Sequence, residues 1–584
     1  ASPAQGFSDM IARQLNTNEL SRKKAFDRIK DILTASATHR ATADLDTLSL
    51  TALLFPDDPN ESRNPAITDD GPRAQLNTPR DRFIVTARLL EYLCAERPVF
   101  IFLDDAHWST ETLEGVRLLL TEPQTRDLPI FIMLSINDDA QTVRPASRRL
   151  ISQLSGTPSL RTLELERLED EDQRKLVDAL LMLEDPLADK ILDLSRGNPM
   201  FAVQLVGEWI QRDILTPSGN GYTLREGAAP FLPDTLDQLW GTRLSQLLRT
   251  VQQRSARFTE AEIRLVLEIS ATLGQQVSFK EWGHTCMKLD LAIPSTLVDA
   301  MITQGFATAD RDSWSFSHEQ IRKRLMRQAQ EEGRWEQINR ACAAMIDTLY
   351  SRDTTGAPER LVNHLVEANA NEHAIAPLFY LIQVSHLRDD YDQAEQYLDQ
   401  LEEILYELEL EPTDTRIGRI KLLRSTHMLN TRGVRPALAL LEQLAKSLDD
   451  FDSSAFEGEV LLYQAKFAFL KGQIKRSKEL CDLASERFAE VGDQLGLGSC
   501  FLLYGQLHAL EFAANEAKRD ARSVIEITKD VSREAHPFVA DNLLGTAYET
   551  LGYAYTQEEK YEKATLAFKR AIRYFKEVGN RLGV

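Results

Sequence analysis

The sequence predicts an α/β region at the front of the chain and an all-α region behind it. Two short apolar runs, Val99 to Leu103 and Ile130 to Leu134, are rich in β-branched and aromatic residues and predict buried strands. Their separation of about thirty residues fits a right-handed strand–helix–strand unit. From about Ile375 the apolar residues follow helical spacing only, in units that recur about every forty residues.

Composition excludes several classes of protein. A chain of 584 residues with 43% hydrophobic residues can form several folded domains. The net charge of −21 argues against a broad nucleic-acid-binding face, which needs clustered positive charge. The longest apolar runs are too short to span a bilayer, and no signal peptide is apparent. The five scattered cysteines have no metal-ligand spacing, so we expect a cytoplasmic protein without membrane contact.

Helical spacing predicts further elements around the two strands. We expect helices near residues 7–15, 25–33, 82–95 and 110–120, an exposed loop over 56–80, and a weaker third strand from Leu160 to Leu165. The segment Phe306 to Phe316 predicts a β-hairpin, because Asp310 to Ser313 is a turn sequence between two short β-prone runs.

The first predicted strand ends on two acidic residues, Asp104 and Asp105. Open α/β sheets bind ligands at the carboxyl ends of their strands, where a carboxylate can hold Mg²⁺ and another can position an attacking water. The run therefore predicts a Walker B element over 99–105. The alternative is a strand that ends in an ordinary Asp-Asp turn.

Three blocks of sequence resemble those of the STAND class of P-loop ATPases, signal-transduction relatives of AAA+ proteins. The class includes large LuxR-type transcription activators and the ATPase modules of some cyclases and kinases. The blocks stand in the family's order, and they read FLDDAHWSTETL from Phe102, LSRGNPMFA from Leu194 and WSFSHEQIRKRLM from Trp314. They resemble, in turn, the Walker B region, the Gly-Asn-Pro motif after the helical lid and the end of the winged-helix domain.

The resemblance implies ATP or ADP with Mg²⁺ as cofactors. It implies that Asp104 holds the magnesium shell and that Asp105 acts on the attacking water. It also implies that Pro199, with Gly197 and Asn198, lies against the adenine, where glycine permits close approach and the proline ring packs on the base.

His318 occupies the position of the winged-helix histidine that contacts the diphosphate of bound ADP in related switches. Two alternatives stay open. Residues Gly197 to Pro199 could simply end one helix, since glycine followed by proline is a common helix stop. His318 could stand at the start of a helix with no ligand.

The chain departs from the family in two ways. Asn137 stands where the family carries an arginine that senses the terminal phosphate, which puts fast hydrolysis in doubt. No Gly-x-x-x-x-Gly-Lys-[Ser/Thr] loop occurs in the sequence, and such a loop cradles the triphosphate. We expect that the chain is cut at both ends, because it starts with Ala1 and because the block from Glu490 to Leu497 recurs at its very end.

The resulting fold class is a partial α/β P-loop ATPase core, followed by a helical lid, a winged-helix domain and an all-α superhelix resembling tetratricopeptide repeats. The expected boundaries are 1–168 for the partial core, 169–231 for the lid, 232–328 for the winged helix, 329–374 for a helical linker and 375–584 for the repeats.

The expected function is an ATP/ADP-dependent switch that oligomerises when active and regulates an effector outside this chain, by transcription activation, a cyclase or a kinase. The repeats would bind a protein or small-molecule inducer, or act as a mechanical spacer. The alternative function is an inactive ATPase-fold scaffold that docks proteins. Direct nucleic-acid binding by the winged helix is a further alternative, which we do not favour because no basic helix is found.

Overall fold

The protein is mostly helical, with three small sheets and a long series of paired helices. The computed structural model describes residues 5–17, 20–35, 42–55, 76, 79–95, 97–136, 145–219, 221–226, 235–350, 356–451, 453–530, 537–578 and 580. These residues form two compact units. One comprises residues 151–349 with 367–369, and the other comprises residues 2–150, 350–366 and 370–584.

The front of the second unit is a helical layer and a parallel pair of strands. Its elements are α1 (Gln5–Gln14), α2 (Arg22–Ala35), α3 (Ala43–Leu54), α4 (Pro79–Cys94), β1 (Val99–Leu103), α5 (Thr110–Thr121) and β2 (Ile130–Leu134). The division between the two units falls within α6 (Pro145–Ser155), after residue 150. Strand β1 pairs with β2 in parallel, with Val99 opposite Ile130 and Leu103 opposite Leu134. Both predicted strands and the four predicted helices of this region are confirmed.

The predicted strand from Leu160 to Leu165 is wrong. These residues have no strand conformation, and the side chains of Leu163 and Leu165 are 85% and 98% exposed. A short β-prone run needs a neighbour to complete its hydrogen bonds. This segment belongs to the first unit, whereas β1 and β2 belong to the second.

The first unit begins with three helices packed around one apolar core. Its first elements are α7 (Asp170–Leu180), α8 (Asp185–Ser195), α9 (Pro199–Gln211), β3 (Leu215–Ser218) and β4 (Gly221–Leu224). Trp209, Leu205 and Ile191 are fully buried at the centre of this core. The antiparallel hairpin β3–β4 follows α9 directly.

The rest of the first unit combines helices with a three-stranded antiparallel sheet. Its elements are α10 (Leu236–Arg254), α11 (Glu260–Leu273), β5 (Gln276–Ser278), α12 (Phe279–Lys288), α13 (Leu297–Thr303), β6 (Ala307–Ala309), β7 (Ser313–Phe316), α14 (Glu319–Glu331) and α15 (Trp335–Leu349). The strand order is β5-β7-β6. The hairpin predicted between Phe306 and Phe316 is therefore confirmed as β6 and β7.

The remainder of the second unit is wholly helical among its described residues. It contains α16 (Ala357–Glu367), α17 (Asn371–Leu387), α18 (Tyr391–Glu407), α19 (Thr415–Arg432), α20 (Val434–Lys446), α21 (Ser454–Leu470), α22 (Ile474–Val491), α23 (Gln494–Leu510), α24 (Ala514–Asp530), α25 (Pro537–Gln557) and α26 (Tyr561–Val578). From α17 onwards each helix packs against the next in hairpin pairs, as the sequence predicted for helical repeats.

Glycines facing phenylalanine rings bring these repeat helices together. A methyl group placed on Gly418 would collide with Phe456, and one placed on Gly545 would collide with Phe575 at 2.6 Å. Phe488 stands in the same relation to Gly496 at the start of α23, and its ring is 1% exposed. Each ring thus fills the space that a larger side chain would occupy.

Two glycines of α23 provide a matched test of this packing. A Cβ atom at Gly498 would meet only ordinary contacts, Ile527 at 3.7 Å and Leu543 at 3.8 Å. We expect Gly496→Ala to lower the free energy of unfolding by about 1–3 kcal/mol, because Phe488 must move. Gly498→Ala should be neutral or raise it by about 0.5–1 kcal/mol through helix propensity. Urea unfolding of both variants measures the difference, and equal effects would contradict the packing role.

Candidate functional site

The two aspartates lie at the carboxyl edge of the parallel strand pair. A single hydroxyl joins them: Ser135 Oγ accepts a hydrogen bond from the backbone N–H of Asp105 at 2.7 Å and donates one to Asp104 Oδ1. The pairing continues beyond the strands, since Ser135 N–H donates to the Leu103 carbonyl at 3.0 Å. Ser135 therefore fixes the Asp-Asp turn from the neighbouring strand end.

Both carboxylates of this turn are accessible. The side chain of Asp105 is 48% exposed, and its backbone is left-handed at φ 51°. Asp adopts this conformation more readily than most residues. His107 is fully buried beneath the turn, with Nδ1 3.9 Å from Asp105 Oδ1.

The donor set at this edge suits a magnesium ion. It consists of oxygens from two carboxylates and a hydroxyl, and Mg²⁺ is typically held by one or two carboxylates together with waters and phosphates. Within the described ranges no group of three or more His, Cys, Asp or Glu side chains could hold a metal ion. Asn137, the predicted phosphate-sensing position, lies outside the described residues.

The Gly197–Pro199 motif forms a tight connection between α8 and α9. Asn198 caps α9, since its Oδ1 accepts a hydrogen bond from Phe201 N–H at 3.1 Å, and Pro199 is the first residue of that helix. Gly197 has φ 79°, and a Cβ atom there would lie 2.6 Å from the Leu168 carbonyl oxygen. The motif thus starts α9, whereas α8 ends at Ser195 with Arg196 as its C-cap residue. Asn198 and Pro199 are exposed.

Gln173 of α7 holds this connection in place. Its Oε1 accepts a hydrogen bond from Gly197 N–H at 2.9 Å, while its Nε2 donates to the Leu192 carbonyl at 3.2 Å and to Ser195 Oγ. Gln173 is only 1% exposed. The motif is thus rigid, with its proline ring presented on the surface.

His318 is the residue before α14, and its ring lies 5.4 Å from that of Trp240. Burial, and then the positive charge of Arg243, lower the pKa of His318 from its ordinary value. Both effects favour the neutral imidazole, which can offer one N–H to a phosphate.

Arg243 joins the helix that begins at Pro199 to the surroundings of His318. It is 8% exposed, donates to Gln204 Oε1 at 2.6 Å and to the Gln304 carbonyl at 2.8 Å, and stacks over Trp240 at 4.9 Å. Glu208, which is 2% exposed, lies 3.8 Å away. Because Gln204 and Glu208 belong to α9, the motif and His318 are linked through one buried cation.

The predicted site residues therefore fall into two groups, one in each unit. Asp104 and Asp105 belong to one unit, whereas Gly197, Asn198, Pro199 and His318 belong to the other. Arg243 was not among the predicted site residues, although the sequence contains a signal for it. Its position falls on the apolar face of α10, among Leu239, Trp240 and Leu247, where a charged residue is uncommon.

The repeats contain a second group of titratable side chains that the sequence analysis missed. His427 Nε2 is hydrogen-bonded to Glu395, and His427 Nδ1 lies 3.2 Å from His386 Nε2. Since an ionised carboxylate can only accept, His427 donates to Glu395 and accepts from His386. Burial, and then the neighbouring His427, lower the pKa of His386 to about 4, and burial also lowers the pKa of His427.

Comparisons with known proteins give distant similarities only. No family model matches the sequence, and no curated protein matches it. A solved structure of a signal transduction ATPase with numerous domains (STAND) and a tetratricopeptide repeat sensor, from Pyrococcus horikoshii, is similar at 12% identity and a TM-score of 0.49, over 99% of this chain and 80% of that one. BtubC from P. vanneervenii is similar at 15% identity and a TM-score of 0.27, over 42% of this chain and 89% of that one. Similarities this distant show no family for the chain.

Among the described helices, none is both long and apolar enough to cross a bilayer.

Gly197 and Gly207 test the rigidity of the motif. Gly197→Ala should lower the stability of the first unit by about 2 kcal/mol or more, because it adds a clash with Leu168 to a left-handed backbone. Gly207→Ala, in the middle of α9 with open space around it, should instead stabilise by about 0.5–1 kcal/mol. Chemical unfolding followed by tryptophan fluorescence distinguishes them, and a neutral Gly197→Ala would contradict the role assigned to this turn.

The buried histidine pair predicts a pH dependence of stability. Because the pKa of His386 is about 4 in the folded state and 6.5 by its ordinary value, the unfolded chain binds the proton more tightly. The stabilisation is therefore complete above about pH 6.5 and is lost as the pH falls towards 4, by at most about 3 kcal/mol. His386→Gln should flatten the fall in melting temperature over this range. His373→Gln, at an exposed position of the same helix, should leave it unchanged, and an equal slope in both variants would refute the assignment.

Proposed function

We propose that this chain is part of a nucleotide-dependent signal-transduction switch of the STAND type. The observation that carries the proposal is the carboxyl edge, where Asp104 and Asp105 are accessible and are held by Ser135 from the adjacent parallel strand. This is the edge at which α/β sheets bind nucleotides. The proposal includes ATP or ADP with Mg²⁺ as the ligands and a cytoplasmic setting.

Each predicted site residue has a role in this proposal. Asp104 holds the hydration shell of Mg²⁺, and the Asp105 carboxylate orients the water that attacks the terminal phosphate. A bound Mg²⁺ would neutralise phosphate charge. Asn137 replaces the usual phosphate-sensing cation, so hydrolysis would be slow.

The first unit supplies the regulatory contacts. The exposed ring of Pro199, held by Gly197 and Asn198, packs against the adenine, and the N–H of His318 donates to the diphosphate. Arg243 couples these two contacts. It donates a hydrogen bond to α9 and stacks over the ring of Trp240, which in turn lies next to the ring of His318. Loss of the diphosphate contact would then release both together.

The repeats act as the sensor in this proposal. A protein or small-molecule inducer bound there favours exchange of ADP for ATP and self-association through the nucleotide-binding region. The effector is a transcription activator, cyclase or kinase outside these residues. The division of the chain into core, lid, winged helix, linker and repeats at the boundaries given above belongs to the same proposal.

A second candidate function is a scaffold that docks proteins and binds no nucleotide. One observation favours it: the 584 residues contain no Gly-x-x-x-x-Gly-Lys-[Ser/Thr] loop. The two candidates differ in a single measurable property, which is nucleotide content.

The deciding experiment is the nucleotide content of the natural, complete protein, isolated gently, denatured and resolved by anion exchange. We expect near-stoichiometric ADP. Asp104→Ala and Pro199→Ala should each lower occupancy about tenfold, because each removes a direct contact with the ligand. Asp127→Ala, at an 83% exposed acid that precedes β2, is the matched control and should retain wild-type content.

The opposite results are equally informative. Absence of nucleotide, even after incubation with ATP and Mg²⁺, would refute the switch and leave the scaffold. Equal loss in Asp104→Ala and Asp127→Ala would show that the carboxyl edge is not the binding site.

A further inference from the structure

A cavity of about 370 Å³ lies within the repeats. It is lined by residues of three consecutive helices, namely Glu395, Glu402, Lys421, Arg424, His427, Met428, Arg432 and Leu440. Cavities of roughly 300–1,000 Å³ are typical of small-molecule sites. None of these residues belongs to the proposed nucleotide site.

One face of α19 forms most of the cavity wall. Lys421, Arg424, Met428 and Arg432 follow one another at intervals of three or four residues, so they share one side of the helix. Met428 lies between the cationic residues in this row, and Leu440 of α20 adds a second apolar side chain. The cavity therefore has an apolar middle.

The acidic side chains beside Arg424 already have partners. Its guanidinium binds Glu395 at 3.0 Å, Asp399 at 2.9 Å and Glu402 at 3.0 Å, three carboxylates of α18. Glu395 also accepts the hydrogen bond from His427. This network holds the wall in one arrangement and engages Arg424 fully. The three carboxylates exceed the charge of Arg424 by two, and they are 36%, 54% and 48% exposed.

The other two cations of the row differ from Arg424. Among the described residues, no carboxylate forms an ion pair with Lys421 or Arg432, and both residues line the cavity and are exposed. They are eleven positions apart in the sequence, which places their Cα atoms about 16 Å apart along the helix. Their long side chains can lean towards each other over Met428, at the two ends of the apolar middle.

We propose that this cavity binds a small organic dianion, with negatively charged groups at the two ends of a short aliphatic chain. One end pairs with Lys421, the other pairs with Arg432, and the chain between them packs on Met428 and Leu440. The residues that line the cavity include three cations, Lys421, Arg424 and Arg432, against two carboxylates, Glu395 and Glu402, in a chain whose net charge is −21. The dianion would be the inducer that the repeats sense, so this proposal rests on the proposed function of the repeats as a sensor.

The test is isothermal titration calorimetry of the whole chain with octanedioate, in the absence of nucleotide. Octanediol, which has the same carbon chain without charge, is the comparison ligand. We expect octanedioate to bind with a submillimolar dissociation constant that weakens with added salt, and octanediol to bind at least about tenfold more weakly. Equal binding of octanedioate and octanediol would overturn the proposal. So would the absence of binding heat when octanedioate is added to about ten times the expected dissociation constant.

Three variants locate the site. Lys421→Gln and Arg432→Gln should each weaken octanedioate binding about tenfold, since each removes one charge-assisted contact. Met428→Glu should abolish binding by placing a negative charge in the apolar middle. Lys475→Gln, at an exposed lysine of α22, is the matched control and should bind as the wild type does. Melting temperatures confirm that each variant is folded.

The outcomes separate this proposal from the nucleotide switch. Unchanged affinity in both Lys421→Gln and Arg432→Gln would refute the cavity as the site, whatever the nucleotide content is. Because no nucleotide is present during the titration, absence of ADP from the natural protein would refute the switch and leave the octanedioate measurement intact.

Discussion

Close approach of neighbouring helices is the constraint on which most of this structure depends. The repeats pack in pairs, and glycines of α19, α23 and α25 lie against the rings of Phe456, Phe488 and Phe575. A side chain at any of these glycines would push the aromatic ring out of the core. The cavity between α18, α19 and α20 forms within this framework, so its shape depends on the same close packing.

In the first unit, a pair of buried charged residues connects several elements. Arg243 and Glu208 are almost fully buried, a costly arrangement unless hydrogen bonds satisfy them. Arg243 donates to Gln204 and to the Gln304 carbonyl, Arg212 donates to Glu208 Oε1, and the aromatic rings of Trp240 and Phe306 cover the guanidinium. Among the described residues Glu208 Oε2 has no hydrogen bond, and it lies 3.8 Å from Arg243 Nε. The network ties α9 to α10 and to Gln304, the residue after α13, and so connects the helix that begins at Pro199 with the surroundings of His318.

At the carboxyl edge, the sequence was informative because local chemistry decides the outcome. Five apolar residues followed by two acids predict a strand and its ligand-binding end, and both strands form where they were expected. The strand predicted at Leu160 does not form, because its formation depends on a distant partner and not on local chemistry. A strand exists only where a partner completes its hydrogen bonds, and no property of six residues reveals whether that partner is present.

The sequence by itself determined the local elements: β1 and β2, the hairpin of β6 and β7, and the amphipathic repeat helices, since each follows from periodicity and turn chemistry within a short window. Only the tertiary structure decided which distant side chains meet. Ser135 lies 30 residues beyond Asp105, Gln204 lies 39 residues before Arg243, and His386 lies 41 residues before His427. Such contacts depend on how whole elements pack, and packing has no signature in a short window of sequence.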